Sequence, residues 1–182
     1  FRMYDFLFIL SWYFLGRLRI GRKTRKKNSI IKFYNSIDRL PKDSLVIDVG
    51  ANIGEVSKIF LDRGFVVNAF EPDPIAIKEL TYKLKEYKKF SLFKFAVGLK
   101  VSKKKLYRSN EFNKNNPSST NGSSLLSFRS GKNKPFVEIN VIDFIKYLEE
   151  IKVNISLLKM DIEGGEIPII NRMIDLNLHN KI

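Results

Sequence analysis

Cysteine is absent from this 182-residue chain, and histidine occurs once, at His179. The first absence removes thiolate metal sites, iron–sulfur clusters, redox dithiols and cysteine nucleophiles. The second leaves no room for a Ser–His triad or a His-rich metal centre. No metal ligand set is assigned. With only 10 glycines and 6 prolines the chain is not collagenous, and at 44% hydrophobic residues it is not disordered throughout. Acidic side chains are the scarcer charge: 19 Asp and Glu stand against 33 Lys and Arg, a formal net charge of +14. Such an excess marks an anionic partner, nucleic acid or a membrane surface, or else decorates solvated faces with lysine. Lysines recur at 83–89, 100–105 and 132–134 as well as near the start, which favours the second reading. A chain of this length makes one domain with a core of its own.

Long apolar runs are also missing. Residues 6–15 (FLFILSWYFL) form an apolar stretch about half the ~20 residues that a membrane-spanning helix needs. A basic tract follows: Arg17, Arg19, Arg22, Lys23, Arg25, Lys26 and Lys27. A signal peptide has the opposite order, with charge first and a small-residue cleavage site last. Residues 1–28 are therefore set apart as an N-terminal segment. It reads as a helix packing on the domain, as an interfacial anchor backed by basic charge, or as the tail of a membrane span. Residues 29–182 form the domain, expected in the cytoplasm, at the inner face of the membrane if the segment is an anchor.

Along the domain, a helix is predicted over 29–39 and stopped by Pro41. The apolar run 45–49 reads as a buried parallel strand, and 55–63 as a helix ended by Gly64. Residues 65–70 give a second strand. Asp73 followed by Pro74 is an N-cap and first helical residue, opening a helix to about residue 88. A third strand covers 90–97 and a short antiparallel strand 103–107. Residues 109–134 are polar without a period, the mark of a functional loop or of disorder. A strand at 137–141, a helix to about 152, a strand at 155–160 and a helix over 165–178 complete the chain. The alternation gives an α/β fold: a mostly parallel sheet with helices on both faces. Its core strands are 45–49, 65–70, 90–97 and 155–160, with 103–107 and 137–141 as an inserted or edge hairpin.

In such sheets ligands sit at the carboxyl ends of the strands. The first such end reads Asp48-Val49-Gly50-Ala51-Asn52-Ile53-Gly54. Gly50 can adopt a backbone conformation closed to other residues and admits a ligand closely. Asp48, at the strand tip, can accept hydrogen bonds from a ligand ammonium. A dinucleotide fingerprint needs glycine where Asn52 stands, and no Walker loop is present. What remains is D-x-G-x-x-x-G followed, about twenty residues on, by Glu71 at the end of the second strand, where a carboxylate can accept both hydroxyls of a ribose. A nucleoside site without a pyrophosphate site points to S-adenosylmethionine.

Four segments make a more specific pattern: 46–54 (VIDVGANIG), 70–74 (FEPDP), 96–98 (AVG) and 158–166 (LKMDIEGGE), with Val141-Ile142-Asp143 before the last of them. In order and spacing they resemble the FkbM family of methyltransferases, over residues 44–175. The resemblance implies a class I, Rossmann-like methyltransferase fold, S-adenosylmethionine as cofactor, and O-methylation of a hydroxyl on a sugar, glycan or small natural product. It implies cofactor contacts at Asp48, Gly50, Ala51, Asn52, Gly54, Glu71, Pro72 and Ala96. The chain departs from the family near Lys83, where asparagine is usual. The family usually continues into further strands, so the domain is expected to be incomplete at its C-terminus, and the chain inactive if those strands are needed.

A sugar hydroxyl needs help in losing its proton at neutral pH. With histidine outside the motifs, a carboxylate must supply it. Asp161, at a strand tip, and Glu163, two residues on, are the candidate catalytic residues, one as base and the other orienting substrate or the cofactor's amino group. Glu166 begins the next helix, whose N-terminus favours negative charge. Ser123, Ser124 and Leu125 match a Ser-Ser-Leu segment frequent in the family and are expected to cover the acceptor, and His179 is expected at the surface. A nucleic-acid methyltransferase is the alternative, although the chain lacks a nucleophilic cysteine and reads Asp-Ile-Glu-Gly at 161–164, where amino-methylating enzymes carry N/D-P-P-Y/F. The third reading is a non-catalytic cofactor-binding or membrane-surface fragment.

Overall fold

The computed structural model describes residues 33–108, 112–120, 123, 125, 135–162 and 164–182. The N-terminal apolar and basic tracts, Ser124 and Glu163 lie outside the described residues. Among the described residues, seven strands run in chain order: β1 (Leu45–Val49), β2 (Val66–Phe70), β3 (Phe90–Phe93), β4 (Ala96–Gly98), β5 (Ser102–Tyr107), β6 (Phe136–Asp143) and β7 (Ile155–Met160). The longer helices are α1 (Glu55–Asp62), α2 (Pro74–Leu84), α3 (Phe144–Glu150) and α4 (Glu166–Asp175).

The main sheet has the order β3-β2-β1-β7, with every pair parallel. Successive residues of β1 point to opposite faces. Val46, with Val67 and Ala69, packs on Phe60 and Leu61 of α1 and on Leu80 and Leu84 of α2. Ile47 and Val49, with Leu158 and Met160, pack on α3 and α4 through Phe144, Leu148, Ile169 and Met173. Both faces are covered, which is why the strand reads as a continuous apolar run rather than an alternation. Each such buried side chain contributes roughly 1.5–3 kcal/mol.

The helix starts follow their chemistry. Asp73 accepts from the backbone N–H of Ile75 at 2.9 Å, with Pro74 at the first helical position. Asp143 accepts from the N–H of Lys146 at 3.1 Å and opens α3. Helix α2 ends at Leu84, four residues short of the sequence expectation. Helix α4 stops at Asp175, where Asn177 turns left-handed (φ 56°) into a 3-10 turn, Leu178–Lys181. His179, expected at the surface, is half-buried on that turn.

The expected third strand, 90–97, is two strands in two sheets. Phe93 stacks on Phe70 at 4.6 Å between ring centroids and belongs to the main core, so β3 stays beside β2. Ala96 packs instead with Leu106, Ile139 and Val141, and β4 leaves to pair with β6. Strands β5 and β6 form the expected antiparallel hairpin, but with β4 parallel on the other side of β6 they make a three-stranded sheet, β4-β6-β5. The whole is a mixed α/β fold with a parallel central sheet. Among the described residues no helix is long and apolar enough to cross a membrane.

Candidate active site

A cavity of about 460 Å³ opens at the carboxyl ends of β1, β2 and β7 and is walled on its far side by β4 and β5. The turn after β1 forms its floor. The N–H groups of Gly50 and Ala51 both donate to the Phe70 carbonyl, at 2.9 and 3.1 Å, which continues the β1–β2 pairing into the turn. Gly50 is left-handed (φ 78°), and a Cβ there would lie 2.1 Å from the Asp161 carbonyl oxygen. Glycine is therefore required for the close approach of the β7 end, not only for that of a ligand. A Cβ on Gly54 would press on Leu80 and Leu84 of α2, so this second glycine serves helix packing and does not line the cavity.

Asp48 is fully buried and is not part of the cavity wall. Ser57 donates to its Oδ2 at 2.7 Å, and Lys159 pairs with its Oδ1 at 2.9 Å. Lys159 also donates to the Gly50 carbonyl at 2.7 Å. The ammonium that Asp48 meets is thus the chain's own. Lys159 ties the tip of β7 to the turn after β1 and faces the cavity as well.

Glu71 is 6% exposed and lines the cavity. Its two oxygens accept from the N–H groups of Asn52 and Asp73, each at 2.8 Å. Burial pushes its carboxyl up to about 7, against the downward pull of the Asn52 N–H, Lys159 and Arg108. Each carboxylate oxygen has further acceptor capacity for a ligand hydroxyl. Pro72, Ala51, Asn52 and Ala96 line the same cavity.

Asp161 is exposed at the cavity wall, its backbone N–H donating to the Val49 carbonyl at 3.0 Å. Glu163 lies outside the described residues. Glu166 is buried and accepts from the N–H groups of Ile162 and Gly164, both at 2.7 Å. It shapes the turn that carries Asp161 and is not presented to the cavity. Lys83 pairs with Glu55 at 2.6 Å, joining α2 to α1 at the cavity's edge.

Part of the polar stretch folds over the cleft. Pro117–Thr120 is a 3-10 turn, and Ser118, Thr120, Ser123 and Leu125 line the cavity. The Thr120 hydroxyl lies 3.0 Å from Asn52 Oδ1 and 2.7 Å from the Pro117 carbonyl. Lys159, Arg108, Ser118 and Thr120 escape sequence reading. A lone charge inside the apolar strand 155–160 was the available signal for Lys159. Arg108 and Thr120 border a segment without period, and nothing local marks them. Among the described residues, Glu55, Glu71, Asp73 and Asp161 line the cavity with one cation, Lys159, in a chain of net charge +14. Among the described residues no group of three His, Asp or Glu side chains is placed to hold a metal ion.

No curated protein matches the chain significantly. The model of the methyltransferase FkbM domain matches residues 48–179, from the tip of β1 into the 3-10 turn after α4. That span holds the Gly50 turn, Glu71, Lys159 and Asp161 in one cleft and covers most of the chain, and the protein belongs to the FkbM methyltransferase domain family.

Proposed function

We propose that the chain is a class I, Rossmann-like O-methyltransferase that binds S-adenosylmethionine in this cavity and acts on a hydroxyl of a sugar, glycan or small natural product. The carrying observation is the convergence, at the carboxyl ends of parallel strands, of the Gly50–Asn52 turn, a buried carboxylate at Glu71 and an exposed one at Asp161. The donor set fits the cofactor's chemistry. Charged groups on an otherwise mostly apolar wall are carboxylates more often than cations, which favours a ligand carrying a sulfonium and an ammonium over a phosphodiester. The volume falls in the range of small-molecule sites, roughly 300–1,000 Å³.

Glu71 would hold the ribose hydroxyls, while Asn52, Pro72 and Ala96 shape the nucleoside's walls. When bound, the cofactor supplies a methyl group on a positively charged sulfur. The chain's task is to align an acceptor oxygen and take its proton, and such alignment is worth roughly 7–11 kcal/mol. We assign that proton to Asp161 or Glu163, the other of the two orienting the substrate or the cofactor's amino group; the position of Asp161 on the cavity wall supports the reading. Ser118, Thr120 and Ser123 present hydroxyls on the facing wall for a polar acceptor.

Calorimetry with S-adenosylmethionine tests the cofactor, and transfer of a labelled methyl group to a panel of hydroxyl acceptors tests the reaction. Glu71→Ala is expected to weaken cofactor binding by about 1–3 kcal/mol. An unchanged dissociation constant would sink the ribose assignment, and no binding by the native chain would sink the proposal.

A further inference from the structure

Arg108 directly follows β5 and is 6% exposed, a rare place for a guanidinium. It pairs with Asp73, which is itself 1% exposed. Its other side lies over the ring of Phe112, with Cζ 4.4 Å from the ring centroid. Asp73 carries two more roles at once: its side chain caps α2, and its backbone N–H donates to Glu71. We propose that Arg108 is a positioning residue for the cofactor cleft, fastening the second sheet to the Glu71–Asp73 rim and serving as a buried counter-charge to Glu71. This rests on the binding role given to Glu71 above.

The groups around Glu71 come from every wall of the cleft. The turn after β1 offers the Asn52 N–H, the start of α2 offers the Asp73 N–H, β7 offers Lys159 and the residue after β5 is Arg108, itself paired with the Asp73 carboxylate, while Asp48 of β1 opposes them with like charge. Burial works against ionisation of Glu71, so each cation matters more than it would in water. Lys159 is already engaged with Asp48 and the Gly50 carbonyl. Arg108 is the cation that comes from outside the main sheet, so docking of the small sheet and charge on Glu71 are linked.

The test is the Glu71 carboxyl titration, followed by carbon-detected NMR in cofactor-free protein for the native chain, Arg108→Gln and Arg108→Lys. Arg108→Gln should raise the midpoint by about one pH unit, and Arg108→Lys should restore it. Affinity for S-adenosylmethionine in Arg108→Gln should then be about fivefold weaker at pH 7, with the gap closing to less than about twofold by pH 9. A purely structural role would lower the melting temperature without moving the Glu71 midpoint. A folded Arg108→Gln with the native midpoint overturns the proposal, as does Arg108→Lys shifting as far as Arg108→Gln. If Arg108→Gln does not fold, Arg108→Met, which keeps most of the buried volume without the charge, takes its place: a raised midpoint supports the link and a native one overturns it. The titration needs no cofactor, so failure to bind S-adenosylmethionine would sink the functional reading and leave this link standing.

Discussion

The two sheets are held together by different physics. The parallel sheet buries both of its faces, in two cores that together draw on all four longer helices. The small sheet has a single core of four buried residues, Ala96, Leu106, Ile139 and Val141. Its outer face carries Lys103, Lys105, Glu138 and Phe136, with Lys105 4.1 Å from the centre of the Phe136 ring. Val97 of β4 and Ile142 of β6 join it to one of the main cores, while its ties to the cleft are polar: Arg108 on Asp73 and, from the segment beyond β5, Thr120 on Asn52. The large sheet therefore sets stability, and the small one sets how the cleft is closed. Damage to the first should unfold the chain, whereas damage to the second should leave a folded chain with an altered site.

The largest effect is expected at Gly50. A valine there brings a side chain into the Asp161 carbonyl at a left-handed position. The expected cost is at least about 5 kcal/mol, read as loss of the cooperative unfolding transition in denaturant. Lys159→Met comes next. It leaves Asp48, 0% exposed, without its cation, which costs about 3–5 kcal/mol by the usual penalty for breaking a buried pair. Adding Asp48→Asn should recover much of the loss. If Lys159→Met unfolds at the native denaturant midpoint, the strand tips are not held as described.

The same contrast decides what could be read from the sequence. Strands β1, β2 and β7 were legible because a doubly covered strand is a continuous apolar run, and α2 because Asp73 and Pro74 mark its start. The cleft's floor was legible through Gly50 and Glu71, whose spacing is local to one strand–helix–strand unit. The break at Lys94-Phe95 was not, because apolar residues continue across it and only the choice of partner, Phe70 for Phe93 and Leu106 for Ala96, divides the two strands. Arg108 and Thr120 were illegible for a related reason. Their partners are 35 and 68 positions away, and no periodicity encodes such a pairing. The apparent ligand role of Asp48 shows the converse. A carboxylate at a strand tip looks available until its neighbours across the sheet are known.

Where the two regions meet, pH should act through Glu71. Its carboxyl lies at about 7 when folded, against an ordinary value of 4.5. The folded chain keeps a proton that the unfolded chain has released, so this group's contribution is fully present below pH 4.5 and is lost as the pH rises through about 7. The loss is on the order of 3 kcal/mol over that window. Glu71→Gln should flatten this part of the stability–pH curve, measured as denaturation free energies between pH 4 and about 8. An equally steep fall in the variant would assign the slope to other groups.

The smallest effect is expected at Thr120, and it tests the contrast most directly. Thr120 is 4% exposed, and its single hydroxyl proton can serve either Asn52 or the Pro117 carbonyl at one time. Thr120→Val keeps the shape and removes that proton, at a cost of about 1 kcal/mol. If the segment over the cleft is fastened only by such polar ties, the loss should appear locally: faster amide exchange over 112–120, with the amides of β1 and β2 exchanging at native rates. Global unfolding should shift little, because the segment adds none of the buried residues of the two main cores. Uniformly faster exchange through the parallel sheet would mean that the two regions fold as one cooperative unit and that their separation into scaffold and closure is wrong.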